Sequence, residues 1–272
     1  MKIAAVITMH TGYETFLYTY NMLSKFDPSV YTFVAIVSDP ATYEQVKNMP
    51  RMIVIPNLTP RGKYDGGIYN IINSFSFVHH NLEYDYLALW GYDCFYCSEK
   101  KNMDICNELA KQNKDFTSMA AQIYNNDVYC PTVPNYAQMP YSQWLPMYPM
   151  GGCEFYTRNF IENHFDLNVH TDKLYLAGEP YISVVMNIKN DLNTREKILK
   201  FAEEHCLVLE YDINKRYDPS FVYRMTDWLP DQFVRYGQIH YGNDRDVPTA
   251  KLFIEQHMPF LKESEKYPTF PE

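Results

Sequence analysis

The chain has 272 residues, enough for one large α/β domain or two small ones with a substantial buried core. Its formal net charge of −9 argues against a general nucleic-acid-binding protein, although it does not exclude a nucleotide ligand. No run of about 18 apolar residues occurs, so we expect no membrane-spanning segment. The N-terminus reads as a first buried strand rather than a signal peptide, and the expected location is the cytoplasm.

The first hundred residues alternate apolar strands with helical segments. Strands are predicted at 2–8, 31–39, 51–57 and 84–91, and helices at 14–26, 42–49 and 64–81. Strands that are apolar throughout are typical of a mostly parallel sheet covered by helices on both faces. Such sheets bind ligands beyond the carboxyl ends of their strands. The polar residues near these ends are therefore expected to converge on one crevice: Thr8, His10, Asp39 and Asp93.

The second part of the chain is less regular. Helices are predicted at 100–116, 178–190 and 194–206, strands at 116–124 and 207–212, a strand-to-helix transition at 151–165, and a closing helix at 248–263. Between them, residues 125–150 carry five prolines, which exclude a regular helix or a central strand. Because this tract is rich in tyrosine and tryptophan, we expect an ordered loop that faces a ligand.

Cys94 and Cys97 form a C-x-x-C pair, a spacing that occurs in redox motifs and in zinc sites. A thioredoxin-like pair would open a helix, and a zinc site would need a second pair at metal-ligand spacing. No second C-x-x-C occurs, and this one directly follows a predicted strand. We interpret the pair as small residues packed near a strand end, and we expect all six cysteines to be reduced.

The segment "YDYLALWGYDCFY" (84–96) ends a predicted strand in a single acid, Asp93. It resembles the D-x-D region of GT-A glycosyltransferases, where a carboxylate helps to hold Mn²⁺ or Mg²⁺ against the diphosphate of a nucleotide-sugar donor. The matching positions are Gly91, Tyr92 and Asp93, so the first acid of the motif is absent. The resemblance assigns Asp93 to the metal and Tyr92 to the donor, and it leaves open whether turnover needs a cation.

The segment "RGKYDGGIYNIINS" (61–74) resembles the basic, glycine-containing loop that precedes the acidic motif in the same family. By this resemblance Lys63 pairs with a phosphate and Asp65 meets the ribose or the sugar. Gly66 and Gly67 would let the backbone approach the donor closely. The alternative is a plain turn at the entrance to a helix.

Two later segments also resemble the family. "PMGGCEFYTRNFI" (149–161) looks like the glycine-led segment beneath donor and acceptor, which implicates Gly151 and Gly152. "LAGEPYISVVM" (176–186) resembles the acidic motif at a helix N-terminus that holds the catalytic base of inverting members, here Glu179. Pro180 replaces the second acid. The alternative is structural, because an acid at a helix start complements the helix dipole and proline suits the first helical position.

The late segment "YGQIHYGNDRD" (236–246) contains His240 after a short apolar run. Several metal-dependent GT-A enzymes take a late histidine as a further protein ligand, and the resemblance gives His240 that role. Arg235 and Arg245 are alternative phosphate partners. In the proline-rich tract, Trp144 and Tyr148 are expected to shape the acceptor side, while Thr8, His10 and Asp39 hold the nucleoside.

The sequence therefore resembles a single GT-A-like domain over 1–245, with a mostly parallel, Rossmann-like sheet. The nucleotide-binding half would be 1–100, the acceptor half 116–245, and a helical tail 246–272. The implied function is transfer of a sugar from a nucleotide-diphosphate donor to a hydroxyl of a glycan or another acceptor, with inversion. This enzyme would use Mn²⁺ or Mg²⁺, with Asp93 and His240 as ligands.

Two other functions stay open. One is a non-catalytic carbohydrate-binding domain of the same fold. The other is a sugar nucleotidyltransferase, which ranks lower because "TMHTGYETF" (8–16) after the first strand has one glycine and no lysine or arginine. A dinucleotide-dependent oxidoreductase is disfavoured because no G-x-G-x-x-G follows the first strand, and a serine hydrolase because no G-x-S-x-G occurs.

Overall fold

The structure is a computed structural model that describes residues 1–9, 13–57, 65–91, 94–118, 124–125, 144–145, 154–168, 180–208 and 238–240, with a few positions near the C-terminus. At several of these positions, among them 65–69, 94–97, 144–145, 180 and 238–240, the description covers the backbone only.

The first half of the chain alternates strands and helices as predicted. The elements are β1 (Ile3–Met9), α1 (Tyr13–Leu23), β2 (Tyr31–Val37), α2 (Pro40–Val46), β3 (Met52–Pro56), α3 (Asp65–Asn81) and β4 (Tyr86–Gly91). Each lies within a few residues of its predicted position, because apolar runs and proline stops define these elements locally.

The second half contains shorter elements. They are β5 (Cys94–Cys97), α4 (Glu99–Gln112), β6 (Phe116–Ser118), β7 (Tyr124–Asn125), β8 (Trp144–Leu145), β9 (Glu154–Thr157), a π-helical turn (Phe160–His164), α5 (Pro180–Lys189), α6 (Arg195–His205), β10 (Cys206–Val208) and β11 (Gln238–His240). Of the strand expected over 116–124, the structure describes β6 and Tyr124, the first residue of β7, which pairs with β8 in a separate two-stranded ladder. Residues 119–123 lie outside the described residues.

A seven-stranded sheet organises the molecule in the order β10-β6-β9-β4-β1-β2-β3. Every pairing in it is parallel except those of β9, which runs antiparallel to both β4 and β6. The predicted α/β class with a mostly parallel, helix-flanked sheet is confirmed. We call the edge where the parallel strands end the carboxyl edge, and the edge where they begin the amino edge.

Two hydrophobic clusters cover the two faces of this sheet. Along β1, Ile3, Ala5 and Ile7 face one cluster, which is completed by α1, α2 and α4. Ala4 and Val6 face the other, which is completed by α3, α5, α6 and the π-helical turn. The period-two alternation of a strand thus supplies both layers from a run that is apolar throughout.

β5 was not predicted as a strand. Cys94 and Cys97 are its first and last residues, and it pairs with β11. A thioredoxin-like pair would instead begin a helix, so the strand supports the structural interpretation. Cys106 and Cys206, whose side chains the structure describes, are buried free thiols.

None of the helices in the described part of the chain has the length and apolar character needed to cross a membrane. The division into halves at about residue 100 and the boundary at 245 stay predictions, as does the helical tail 246–272.

Candidate functional site

The sheet has a topological switch point between β1 and β4. β1 lies between β2 and β4, and the helices that precede β2 and β4 in the chain, α1 and α3, pack on opposite faces. Open α/β sheets bind ligands in the crevice that this arrangement leaves at the carboxyl edge. Thr8, near the end of β1, lies opposite Gly91 of β4 and is half-buried. Its predicted contact with the nucleoside stays a prediction.

The end of β4 leads into a small ladder that involves His240. β5 and β11 are antiparallel, with Gln238 opposite Cys97 and His240 opposite Cys94. The backbone of His240 therefore lies beside the residue that follows Asp93 in the chain. Asp93 itself lies outside the described residues, so its pairing with His240 at one metal stays a prediction.

An amide network at the carboxyl edge joins the end of β3 to α3. Asn57, directly after β3, donates from Nδ2 to Asn70 Oδ1 at 2.6 Å and accepts from Asn73 Nδ2 at 3.2 Å. Asn70 is buried in α3. The last described residue before position 58 is thus held against α3, whose first residue is Asp65. Sequence reasoning missed these three asparagines, although each follows a strand or shares one helical face.

Asp39 has a structural role that the sequence analysis did not assign to it. It is the N-cap of α2, and its Oδ2 accepts hydrogen bonds from Thr42 N at 2.7 Å and from Thr42 Oγ1 at 2.8 Å. An aspartate before a proline at the first helical position is a common helix start. The predicted contact with the nucleoside stays a prediction, and it would have to coexist with the cap.

The C-terminal end of α5 is held at the amino edge. Asn190, directly after α5, donates from Nδ2 to the carbonyl oxygen of His164 at 3.0 Å, and His164 closes the turn that follows β9 at that edge. Pro180 begins α5 at its other end, and Glu179 directly precedes it in the chain.

Two further strands come from the part of the chain predicted to bind the acceptor. β8, which contains Trp144, contacts α5. β9 begins at the carboxyl edge with Glu154, a buried acid that the sequence analysis missed; its Oε2 accepts a hydrogen bond from the hydroxyl of Tyr156 at 2.9 Å. The signal was available, because alternation in "EFYT" (154–157) places Glu154 and Tyr156 on one face of a buried strand.

Eight of the predicted site residues lie outside the described residues. They are His10, Lys63, Tyr92, Asp93, Tyr148, Gly151, Gly152 and Glu179. Their assignments, like those of Asp65, Trp144 and His240, whose side chains are not described, stay predictions. Asn57 and Gly91, the last described residues before the segments that contain Lys63 and Asp93, lie at the carboxyl edge.

Comparisons with known proteins find similar solved structures but no matching sequence family. No family model matches the sequence, and no curated protein matches it. The solved structures that resemble it include "Crystal structure of S. aureus TarS 1-349", with 11% identity, a TM-score of 0.43, and coverage of 97% of this chain and 88% of that one. The second TarS structure from S. aureus gives 14% identity and a TM-score of 0.43, with 98% of this chain and 53% of that one covered.

A mannosyltransferase, PcManGT from Pyrobaculum calidifontis, solved in complex with GDP-Man and Mn²⁺, is also similar. The identity is 8% and the TM-score 0.42, over 97% of this chain and 73% of that one. A glycosyltransferase, the class that the sequence resembles, is thus among these structures. At TM-scores below 0.5, the likenesses support no conclusion about the substrate or chemistry of this chain.

Proposed function

We propose that this chain is a nucleotide-sugar-dependent glycosyltransferase with a GT-A-like fold, whose donor binds at the carboxyl edge between β1 and β4. The observation on which the proposal depends is the common location of these backbone segments. The end of β4, the β5–β11 ladder and the start of α3 lie toward that edge. The sequence resemblance assigns a residue at or beside each of them to the donor or the metal, and this agreement supports the proposal.

The donor half of the site would use Thr8 and Asp39 near the nucleoside, together with His10. Lys63 would neutralise phosphate charge, and the Asn57–Asn70 bond would hold the loop that carries it. A lysine ammonium attracts phosphate oxygens as a compact point charge. Asp65 at the start of α3 would accept hydrogen bonds from hydroxyls of the ribose or the sugar.

A divalent cation is compatible with the residue types beside the β5–β11 ladder. Asp93 offers a carboxylate and His240 an imidazole, a donor set that suits Mn²⁺ and, through the carboxylate, Mg²⁺. When bound, such a cation would neutralise the charge that develops on the departing diphosphate. Asp93 and His240 would hold it next to the donor.

Glu179 would act as the general base. Its carboxylate would take the proton from the acceptor hydroxyl while that oxygen attacks the anomeric carbon, and the bond from that carbon to the nucleoside diphosphate would break on the opposite face. The result is inversion at the anomeric carbon. Trp144, in the strand that contacts α5, and Tyr148 would shape the acceptor side, above Gly151 and Gly152.

A thermal-shift screen tests donor binding. The purified protein is heated with UDP, GDP and their nucleotide-sugars, with and without Mn²⁺ or Mg²⁺. A ligand that binds only the folded protein raises its melting temperature. We expect at least one nucleotide to raise it, and Asp93→Ala to reduce the metal-dependent part of that rise. If no nucleotide shifts the transition, the non-catalytic carbohydrate-binding alternative is preferred.

Release of nucleoside diphosphate from the stabilising donor tests catalysis. Glu179→Gln removes the base with little change in shape and should lower turnover by about 10²–10⁴-fold. Glu203→Ala, an exposed acid on α6, is the matched control and should turn over at the wild-type rate. Wild-type turnover in both Glu179→Gln and Asp93→Ala would contradict the proposed site.

A further inference from the structure

A second group of metal-ligating side chains lies away from the proposed donor site. It consists of Asp115, before β6, His164, at the end of the π-helical turn, and His205, the last residue of α6. Each offers one ligand atom, and the three atoms lie within 4.8 Å of one another. All three side chains are partly buried, and the rings of His164 and His205 are 4.4 Å apart. We call this group the Asp-His-His cluster.

The Asp-His-His cluster is at the amino edge of the sheet. Thr157, the last residue of β9, lies opposite Tyr86, the first residue of β4, and donates its backbone N–H to the carbonyl oxygen of Asp115 at 2.8 Å. The N–H of Asp115 in turn donates to the carbonyl oxygen of His205 at 2.7 Å. β4 extends about 17 Å from this edge to the other, at roughly 3.3 Å per residue. The cluster is therefore at the opposite end of β4 from Gly91, the last residue described before Asp93.

Asn190 fixes the tautomer of His164. Its Nδ2 donates to the carbonyl oxygens of Met186 at 2.7 Å and of His164 at 3.0 Å, so its Oδ1 is the atom that faces His164 Nδ1 at 2.8 Å. An amide oxygen only accepts, so His164 Nδ1 carries the proton. The lone pair of the neutral ring is then on Nε2. Metal-binding histidines are typically oriented in this way by a hydrogen bond from the other ring nitrogen.

The carboxylate of Asp115 is oriented as well. Its Oδ1 accepts from Asn159 Nδ2 at 2.7 Å and from Thr157 Oγ1 at 3.2 Å, while Oδ2 faces His205 Nδ1 at 2.6 Å. These contacts fix the carboxylate, with Oδ2 turned toward the histidines.

From this geometry we propose that Asp115, His164 and His205 bind one Zn²⁺ ion at the amino edge, separate from the donor site. Two imidazoles and one carboxylate are a common protein donor set for Zn²⁺, with water at the fourth tetrahedral position. Tetrahedral bonds of about 2.05 Å place ligand atoms about 3.3 Å apart. Asp115 Oδ2 and His205 Nδ1, now 2.6 Å apart, would open slightly, and any other pair would close by at most about 1.5 Å through side-chain rotation. Binding at His205 Nδ1 would displace the proton that this nitrogen donates to Asp115, either to Nε2 of the same ring or to water.

The bound ion would join three elements at this edge. Asp115 precedes β6, His205 ends α6 directly before β10, and His164 ends the turn after β9. β6 and β10 lie at one side of the sheet. The ion would therefore stabilise this side of the sheet, and its effect would be on unfolding rather than on sugar transfer.

Metal titration of the chelator-treated full chain tests the proposal. We expect one Zn²⁺ per chain and a higher melting temperature in the Asp93→Ala background, where the proposed donor-site ligand is absent. Co²⁺ should give the intense visible absorption of a tetrahedral site. His164→Ala and His205→Ala should each abolish the Co²⁺ band and the shift caused by Zn²⁺.

Two further variants make the test specific. His80→Ala is the matched control, because His80 is exposed on α3 and its Nδ1 lies 2.7 Å from the carbonyl oxygen of Ser76 in the same helix. It should bind Zn²⁺ as the wild type does. Asn190→Ala leaves all three ligands in place and should weaken binding by about 10–100-fold.

Zn²⁺ binding that survives in His164→Ala and His205→Ala, or that disappears in Asp93→Ala, would overturn the proposal. So would the absence of binding in the wild-type chain, which would leave the cluster as a hydrogen-bonded pair beside a packed histidine. If His205→Ala does not fold, Asn190→Ala and His164→Ala decide the question. Failure of nucleotide binding would leave this result unaffected, since the two sites are at opposite edges.

Discussion

Tyr84 is a buried tyrosine whose hydroxyl has a specific partner. Its ring is 3% exposed, its hydroxyl oxygen is 3.1 Å from His79 Nδ1, and the guanidinium of Arg158 is 5.2 Å from the ring centroid. Burial raises the pKa of Tyr84 to about 12, although Arg158 acts in the opposite direction. Burial likewise lowers the pKa of His79, with smaller contributions from Arg158 and His80. The pair is therefore neutral at physiological pH.

The raised pKa of Tyr84 predicts a loss of stability at alkaline pH. A folded-state pKa above the unfolded value means that the stabilisation is complete below about pH 10 and is lost as pH rises toward 12. At pH 11 the wild type should have lost about 1.4 kcal/mol through this group. Tyr84→Phe lacks the titration, so its unfolding free energy should fall less between pH 8 and pH 11.

Urea unfolding of both proteins at pH 8, 10 and 11 measures the difference. At pH 8 Tyr84→Phe should be less stable by about 1 kcal/mol, because the hydrogen bond to His79 is missing. The difference in unfolding free energy between the wild type and Tyr84→Phe should become smaller or change sign by pH 11. Parallel curves across the whole range would show that the phenol of Tyr84 titrates normally in the folded protein.

Short helices at the edges of this sheet depend on their caps. Asp39 caps α2, and Thr194 caps α6 by accepting from Lys197 N at 3.3 Å. α2 has only seven residues, so the two bonds from Thr42 to Asp39 are a large part of what defines its start. The nucleoside role predicted for Asp39 must be separated from this structural role.

Asp39→Asn and Asp39→Ala separate the two roles. Alanine removes the cap and should lower the unfolding free energy by about 1 kcal/mol, whereas asparagine caps nearly as well as aspartate. If Asp39 also contacts the nucleoside, both variants should weaken binding of the stabilising nucleotide. Thr194→Ala is the control, with a similar stability cost and wild-type affinity. Unchanged affinity in Asp39→Asn would leave Asp39 as a capping residue alone.

The elements near the N-terminus could be predicted because their signals are local. β1 and β2 are apolar runs, and α2 begins at an Asp-Pro pair. The hydrophobic pattern and the helix-start signal therefore predict the same element boundaries. The place of β9 could not be predicted. Glu154–Thr157 spans four residues. The pattern of these residues alone predicts neither the direction of the strand nor its position between β4 and β6. The ladder of β5 with β11 joins short segments from distant parts of the chain, for the same reason.

The candidate site residues, like the strands, could be predicted from the sequence only where the signal is local. Thr8 could be predicted because it lies near the end of a strand with a strong pattern. The Asp-His-His cluster was missed because Asp115, His164 and His205 lie in three separate segments with no metal-ligand spacing. They meet only when β9 is inserted next to β6 and α6 returns to the amino edge. Tertiary pairing, rather than any motif, brings them together.

At the scale of the whole molecule, one sheet connects two hydrophobic clusters. β1 and β4 contribute residues to both, with Ala5 and Trp90 on the α1 side and Val6 and Leu89 on the α3 side. Loss of packing on one face therefore weakens the strands that support the other. We expect the two clusters to unfold together, as one cooperative unit.

Phe16→Ala and Phe75→Ala test this expectation from opposite faces. Phe16 lies in α1 and Phe75 in α3, and both are fully buried. Each truncation should cost about 3–5 kcal/mol, because it removes a buried ring and leaves a cavity. Leu199→Ala, at a side chain that is 45% exposed on α6, should change stability by about 0.5 kcal/mol or less. Far-ultraviolet and near-ultraviolet circular dichroism should follow a single transition with one midpoint in each variant. Two separated transitions in Phe16→Ala, or in Phe75→Ala, would show that the two faces of the sheet are independently stable.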